Sequence, residues 1–481
     1  MSDRRPRELT RETYEPHALI PRARIAHFGL GAFHRAHQIW FTAHSEDGAQ
    51  WGICAFSGRT SGVVDALGAQ GGLYTLIERS SSGDHFEVMT NLVEVYDGTD
   101  SAAIVDVLAR PEIVIITTTV TEAGYRLNLD GTPKNDDSEL ALDIEALRRA
   151  MAGLATDHVA VTTVPGRLLL GLDARRRASA GPLAIVPCDN LPDNGPVLER
   201  GITELATRIS AELASWIGTN VTFVSTSVDR ITPRTTKEDL DTVLAHTRWI
   251  DASPVVTEPF ASWILSGEFP GGRPHWETAG ARFVDDIEPY ERRKLWLLNG
   301  AHSLLAYVGL EYGHCTVAEA IADLRCRQSV ESFWQSARHH LPPDLDLDSY
   351  EAQLIDRFEN DRIDYQLEQI ATDAVMKLRT RIAPVLIGEL REGRDCPSGA
   401  DALRAWVVRV LERGSFPDAQ RSTVQSIVST SSSITADLIR LVEPGLAQFA
   451  DFVSTIDELV QERMASRRAR PRENPFTTGA H

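Results

Sequence analysis

From Arg24 to about Ser227 the chain alternates short β-branched runs with longer stretches of helical periodicity, and this alternation most narrows the folds open to it. Strand and helix in succession build a parallel sheet, because parallel neighbours need a crossover connection and a helix supplies it. The apolar runs that read as strands cover residues 25–30, 51–56, 112–119, 159–163, 183–188 and 221–228. Between them, AAIVDVLA, ELALDIEALRRAMAGL and PVLERGITELATRISAELASWI space their apolar residues as helices do. GLYTLIERS and DHFEVMTNLVEVY alternate instead, which predicts an antiparallel hairpin inserted into the sheet. After about Asp285 the strand patterns stop, and CTVAEAIADLRCRQSVESFWQSARHHL and ALRAWVVRVLERG are helical throughout. The expected class is α/β, with a sheet-containing unit over residues 1–285 followed by a mainly α-helical unit over residues 286–481. At 481 residues the chain exceeds the size at which one hydrophobic core splits, which agrees with two units.

Charge argues against one class of partner. The chain carries 68 acidic side chains against 49 basic, a net charge of −19, whereas nucleic acid binding needs a basic surface that releases counterions. The basic run in ERMASRRARPRENPFTTGAH reads as a solvated chain end. No apolar run approaches the roughly 18 residues that span a bilayer. The start, MSDRRPRELTRETYEPH, lacks the apolar segment that follows the arginines of a secretory leader. These features predict a cytoplasmic protein, a monomer or weak homo-oligomer, without membrane or nucleic acid partners. Its five cysteines are scattered, with no C-x-x-C and no Cys/His spacing that suits zinc, so the expected metal complement is none.

RIAHFGLGAFHRAHQIWF is an apolar run that enters Gly29-Leu30-Gly31 and then a helical pattern. Two glycines there let the backbone turn tightly and bring free helix N–H groups against a pyrophosphate, the Rossmann-type arrangement for a dinucleotide. The third glycine of the usual fingerprint is replaced by His34. An NAD site usually places Asp or Glu at the end of the second strand, yet Ser57, Gly58 and Arg59 follow there. NAD is the expected cofactor, and Arg59 keeps NADP open. In so acidic a chain the positive potential for a dinucleotide must be local, from the turn amides and Arg35 or Arg59.

The densest polar signal is PYERRKLWLLNGAHSLLAYVG. At about 100° per residue, Lys294, His302 and Asn299 fall at roughly 0°, 80° and 140°, on one half of a helix but not in a narrow stripe. Leu298 lies within that arc, so the polar groups are expected to line a pocket. An ammonium on so apolar a helix is costly to bury, which makes Lys294 a candidate proton acceptor; the alternative is that it snorkels to water. LAIVPCDNLPDNGPVL places Asp189-Asn190 after a strand, where α/β sheets bind ligands. Asn190 and Asn299 are then candidate donors to a developing alkoxide while Lys294 takes the hydroxyl proton. STSVDRITPRT offers Asp229 at a strand end. Tyr290-x-x-x-Lys294 matches the short-chain dehydrogenase pair in spacing only, so Tyr290 stays outside the chemistry.

GLGAFHRAHQ, TTVTEAGY, CDNLPDNG, VDRITPRT, EPFASWIL and ERRKLWLLNGAHSLLAY together resemble the polyol-specific long-chain dehydrogenase family, from about Gly29 to Lys377. The resemblance implies a Rossmann-type N-terminal domain, a mainly helical C-terminal domain and a metal-independent, NAD(P)-linked oxidation of a secondary alcohol on an open-chain polyol, or the reverse ketose reduction. It implies Lys294 as general base, Asn190 and Asn299 as alkoxide stabilisers and His302 as a substrate hydroxyl partner. Asp229 and Lys377 match substrate positions, and Gly29, Gly31, Phe33, His34, Arg35, Thr119 and Glu122 match cofactor positions.

The chain departs from the family pattern in FENDRIDYQLEQIATDAVMKLRTR, where Asp361 and Gln366 replace an Asn-Pro and an Arg, and Asp373-Ala374-Val375 replaces DGS. The missing Arg weakens a uronate reading, since a carboxylate suits a guanidinium fork. The leading expectation is a mannitol-to-fructose type of reaction. Mannitol 1-phosphate or a hexuronate (fructuronate or tagaturonate) is the alternative substrate, with Arg59, Arg167, Arg230 and Arg234 unassigned to any phosphate. A dinucleotide-binding sensor is the non-enzymatic alternative, which would have no need of the amine.

Overall fold

The structure is a computed structural model that describes residues 5–58, 62–128, 130–154, 159–363 and 365–468. Arg59 and residues 469–481 of the basic tail lie outside the described residues. The chain divides into two compact units, with the division between Glu288 and Pro289.

The first unit is built on a six-stranded parallel sheet. Its strands are β1 (Ala23–Phe28), β2 (Gly52–Phe56), β3 (Leu92–Tyr96), β4 (Ile115–Thr118), β5 (Leu183–Pro187) and β6 (Val221–Phe223). Their spatial order is β3-β2-β1-β4-β5-β6, the doubly wound order in which the direction of winding reverses beside β1. The strands read as continuous apolar runs because both faces of the sheet are buried. Alternate residues divide between two cores: Ala26, Phe28, Cys54, Phe56, Ile116 and Ile185 feed one. Ile25, Ile53, Ala55, Ile115, Ala184 and Val186 feed the other.

Three expectations fail here, each because a side chain takes over backbone bonds or because alternation does not name a partner. Residues 159–163 form no strand. The N–H groups of Thr162 and Thr163 donate to the buried Asp143 carboxylate, and Thr163 then caps the helix Val164–Ala178. The run 221–228 is split: β6 stays in the sheet, while Ser225–Asp229 pairs antiparallel with Ser262–Ser266 elsewhere. The Asn194 carboxamide imitates a strand neighbour, accepting from Thr226 N at 2.9 Å and donating to Thr226 O at 3.1 Å, so the chain peels away. Finally, Tyr74–Ser80 and Gly83–Met89 form the expected hairpin, but in a separate sheet with Val255–Thr257; the last part of that motif becomes β3, parallel to β2.

The second unit contains no named strand among the described residues. A continuous helical segment over residues 288–312 packs against Leu324–Arg338, Ala374–Arg381 and Pro397–Arg413. No helix of the described residues is long and apolar enough to cross a membrane.

Candidate active site

The first unit carries the glycine turn. β1 ends at Phe28 and Gly29 turns with φ +111°, in the region that only glycine occupies without strain. A Cβ there would stand 2.3 Å from the Thr119 carbonyl oxygen. The Gly29 and Leu30 N–H groups bond the Phe56 carbonyl, which docks the turn on β2. Gly31 caps the helix Ala32–Ala36 without a side-chain acceptor, so the first helical N–H groups keep their donors for a ligand.

Under the turn lies a pair of imidazoles that explains the missing third glycine. His27 is held by Thr117 Oγ1 at 2.8 Å and Thr119 Oγ1 at 3.0 Å, and Thr119 donates its own proton to Gly29 O. His34 stacks on His27 with ring centroids 3.3 Å apart and planes within 4°. Burial pushes the His27 ring down to about 3, and His34 falls well below the usual imidazole value as well. Two neutral rings therefore provide the close helix-to-strand contact that a glycine usually allows.

The other cofactor candidates separate by exposure. Phe33 is half-buried and stacks on His37, Thr119 is half-buried, and Glu122 is exposed. The Arg35 guanidinium turns inward to Gly31 O and to Ser253 O and Oγ, and lies over the Tyr74 ring. Its charge is thus spent inside the unit, and the amides of the turn remain, among the described candidates, as the local positive potential. Arg230 is committed likewise, to Glu258 O, Ala36 O and the Glu78 carboxylate.

Beyond β5, the buried Asp189 carboxylate accepts from Leu191 N and Asn194 Nδ2, folding the loop that leaves Asn190 exposed. Burial raises the Asp189 pKa. Asp229 ends its strand and is buried.

The second unit carries the polar helix, whose bonding differs from that of the expected α-helix. Residues Lys294–Gly300 and Leu305–Gly309 are π-helical, separated by one α turn, Ala301–Leu304. Bonding to i+5 instead of i+4 lowers the advance from about 100° to about 80° per residue. At that ideal advance Asn299 would lie about 40° from Lys294 rather than about 140°, and His302 about 40° to the other side, a narrower fan around the amine. Lys294 and Asn299 are half-buried, while His302 is buried with its ring against Phe358 and Tyr365 at 4.9 and 5.1 Å.

A π segment leaves carbonyls to be satisfied from outside the helix, and two distant side chains do so. Trp334 Nε1 donates to Leu297 O at 2.8 Å. Arg381 Nη1 donates to Asn299 O at 3.3 Å and to Ser303 Oγ at 3.2 Å. Arg381 ends the helix Ala374–Arg381, which carries Lys377 one turn earlier. Lys377 Nζ donates to Ile370 O, and burial, followed by the Arg381 charge, pulls its pKa down to about 8.

Sequence reasoning missed Arg381, the last residue of the segment 358–381 that departs from the family pattern, and Trp334, within a helical run. It also missed that His314, Asp323 and Cys326 gather ligand atoms within 4.8 Å of one another. Their spacing matches no common zinc pattern, and Arg325 forks onto the same Asp323 carboxylate, competing with any cation.

The strand order and glycine turn define a Rossmann-type dinucleotide-binding protein with a separate helical unit that carries Lys294, Asn299 and His302 on one helix. Models of the mannitol dehydrogenase Rossmann domain and C-terminal domain match residues 23–278 and 286–409. The chain belongs to the mannitol dehydrogenase family. It is 36% identical over 380 residues to the uncharacterized oxidoreductase YeiQ of Escherichia coli (strain K12), covering 77% of this chain and 75% of that protein. D-mannonate oxidoreductase of the same strain is 30% identical over 463 residues, covering 92% and 93%. Among solved structures, the Pseudomonas fluorescens mannitol 2-dehydrogenase ternary complex with NAD and D-mannitol matches with a TM-score of 0.77 at 30% identity, covering 93% of this chain and 92% of that one.

Proposed function

We propose that the protein is an NAD-dependent polyol dehydrogenase that interconverts a secondary alcohol of an open-chain polyol and the corresponding ketose, in the mannitol-to-fructose manner, with Lys294 as general base and no metal in the step. The observation that carries this reading is the π-helical segment that bears Lys294 and Asn299, with His302 in the turn after it. The relative solved with NAD and D-mannitol supports both cofactor and substrate class.

The glycine turn fits the cofactor, because a Cβ at Gly29 would fill the space under it and the helix that follows keeps its first donors. Bound NAD supplies the hydride acceptor. Lys294 Nζ takes the hydroxyl proton as the C–H hydride leaves, and the carbonyl forms in its place. The Asn299 carboxamide donates to the oxygen as negative charge develops, with Asn190 assigned the second amide donor. His302, its ring confined by Phe358 and Tyr365, bonds a neighbouring hydroxyl. Asp229 and Lys377 are assigned to hydroxyls further along the polyol. Phe33, His34 and Arg35 follow the turn in sequence, the side chains of His34 and Arg35 acting from beneath it; Thr119 bonds the turn through Gly29 O, and Glu122 is assigned to the cofactor with them.

A sugar acid is the second reading: the Lys377 ammonium is a cation for a carboxylate, and D-mannonate oxidoreductase is among the relatives. One experiment separates the readings: NADH and NADPH absorbance followed with mannitol, arabinitol and sorbitol, with mannonate and the hexuronates, and with mannitol 1-phosphate. Turnover of the polyols with NAD supports the first reading, and turnover of the acids alone replaces it with the second. The same reading takes the protein as cytoplasmic and as a monomer or weak homo-oligomer, the latter checked by sedimentation velocity.

A further inference from the structure

The π turn at Lys294–Gly300 is the feature on which the proposed chemistry rests, and something must hold it against relaxing to an ordinary α-helix. Asn299 shows how. Its carbonyl receives two donors from outside the regular ladder, Arg381 Nη1 at 3.3 Å and Ser303 Oγ at 3.1 Å, and Arg381 Nη1 also lies 3.2 Å from that hydroxyl. The hydroxyl thus accepts from the guanidinium and donates to the carbonyl, closing a three-membered network. Ser303 is fully buried, so water does not substitute for it.

The next residue packs the segment closely. A Cβ on Gly300 would lie 2.7 Å from the Phe333 ring of the helix Leu324–Arg338, while the Arg381 carbonyl stands at an ordinary contact distance of 3.4 Å. Among the described residues no carboxylate shifts the Arg381 pKa: burial lowers it, and the Tyr307 and Tyr365 phenols raise it. Among the described groups the half-buried guanidinium thus bonds a main-chain carbonyl and a hydroxyl.

We infer that Arg381 is a positioning residue that holds the π turn through the Asn299 carbonyl and thereby keeps the Asn299 carboxamide on the same side of the helix as Lys294. The inference rests on the proposed dehydrogenase reading for its kinetic readout. Arg381 acts on the rate through Asn299, and the same network links the segment bearing Lys377 to the segment bearing Lys294.

The test compares Arg381→Met, Arg381→Lys, Ser303→Ala and the double variant Arg381→Met with Ser303→Ala. Arg381→Met should lower kcat by about ten- to a hundredfold while KM for the polyol and the Kd for NADH change less than about threefold. Arg381→Lys should recover part of kcat, and millimolar guanidinium should partly rescue Arg381→Met. The double variant should lose less than the product of the single losses, because both act on one carbonyl. Hydrogen exchange at residues 294–304, read without substrate, should accelerate in Arg381→Met. Unchanged kcat with unchanged exchange overturns the inference, as does equal loss of rate and NADH binding without rescue. Failure of the dehydrogenase reading looks different: wild-type protein inactive on every polyol, or Lys294→Ala fully active, with the exchange result still deciding the role of Arg381.

Discussion

The glycine turn at Gly29 and the polar helix at Lys294 both leave regular backbone geometry, and they do so by opposite means. At Gly29 the departure is local. A φ of +111° and a 2.3 Å approach to Thr119 O demand a residue without a Cβ, so the amino acid itself announces the turn. At Lys294–Gly300 nothing in the segment announces a π-helix. Its carbonyls are satisfied by Trp334 and Arg381, 37 and 82 residues away from their acceptors. A local deviation can be written in one residue type, whereas a helical register held from outside is written across the tertiary structure.

The largest expected effect separates chemistry from cofactor binding. Lys294→Ala should reduce kcat by about 10²- to 10⁴-fold, as for loss of a general base, with the NADH affinity measured by fluorescence titration unchanged. Gly29→Ala should do the reverse, weakening NADH binding and lowering stability by about 1–3 kcal/mol through backbone strain, read by titration and by urea unfolding. If both variants lost the two properties equally, the contrast between the regions would collapse.

Trp334→Phe keeps most of the ring and deletes the bond to Leu297 O, so it isolates outside support of the π turn. A loss of about 1–3 kcal/mol in urea unfolding is expected for the unsatisfied carbonyl, with kcat falling more than NADH affinity. The smallest effect concerns Lys377, whose pKa is lowered to about 8 in the folded protein. Below pH 8 both folded and unfolded states carry the charge, and the folded state bears the burial penalty. Between pH 8 and about 10.4 the folded state loses the proton first, so wild-type stability should rise relative to Lys377→Met in that window. A difference that is flat with pH would remove the burial argument.

Several elements were legible because their signals are short-range. The strand–turn–helix at Gly29, the hairpin pairing of residues 74–89 and the change to helix near Glu288 follow from period, glycine and loss of β-branched runs. Residues 159–163 misled because Asp143 captures their N–H groups, and residues 225–229 left the sheet because Asn194 takes both bonds of Thr226. A side chain that stands in for a strand neighbour leaves no periodic trace. His34 reads as a broken glycine fingerprint until its ring is found stacked on His27.

By itself the sequence determined the α/β class, the parallel winding, the place of the glycine turn and the presence of Lys294, Asn299 and His302 on one helix. These depend on residue type and on spacing within a few turns of chain, where backbone sterics and hydrophobic periodicity act. Only the tertiary structure decided which apolar runs share the sheet, that Arg35 turns inward, and that Trp334 and Arg381 satisfy carbonyls of the polar helix. Those outcomes depend on which distant group satisfies a given N–H or C=O, and a buried polar group must be satisfied by whatever the fold brings within reach.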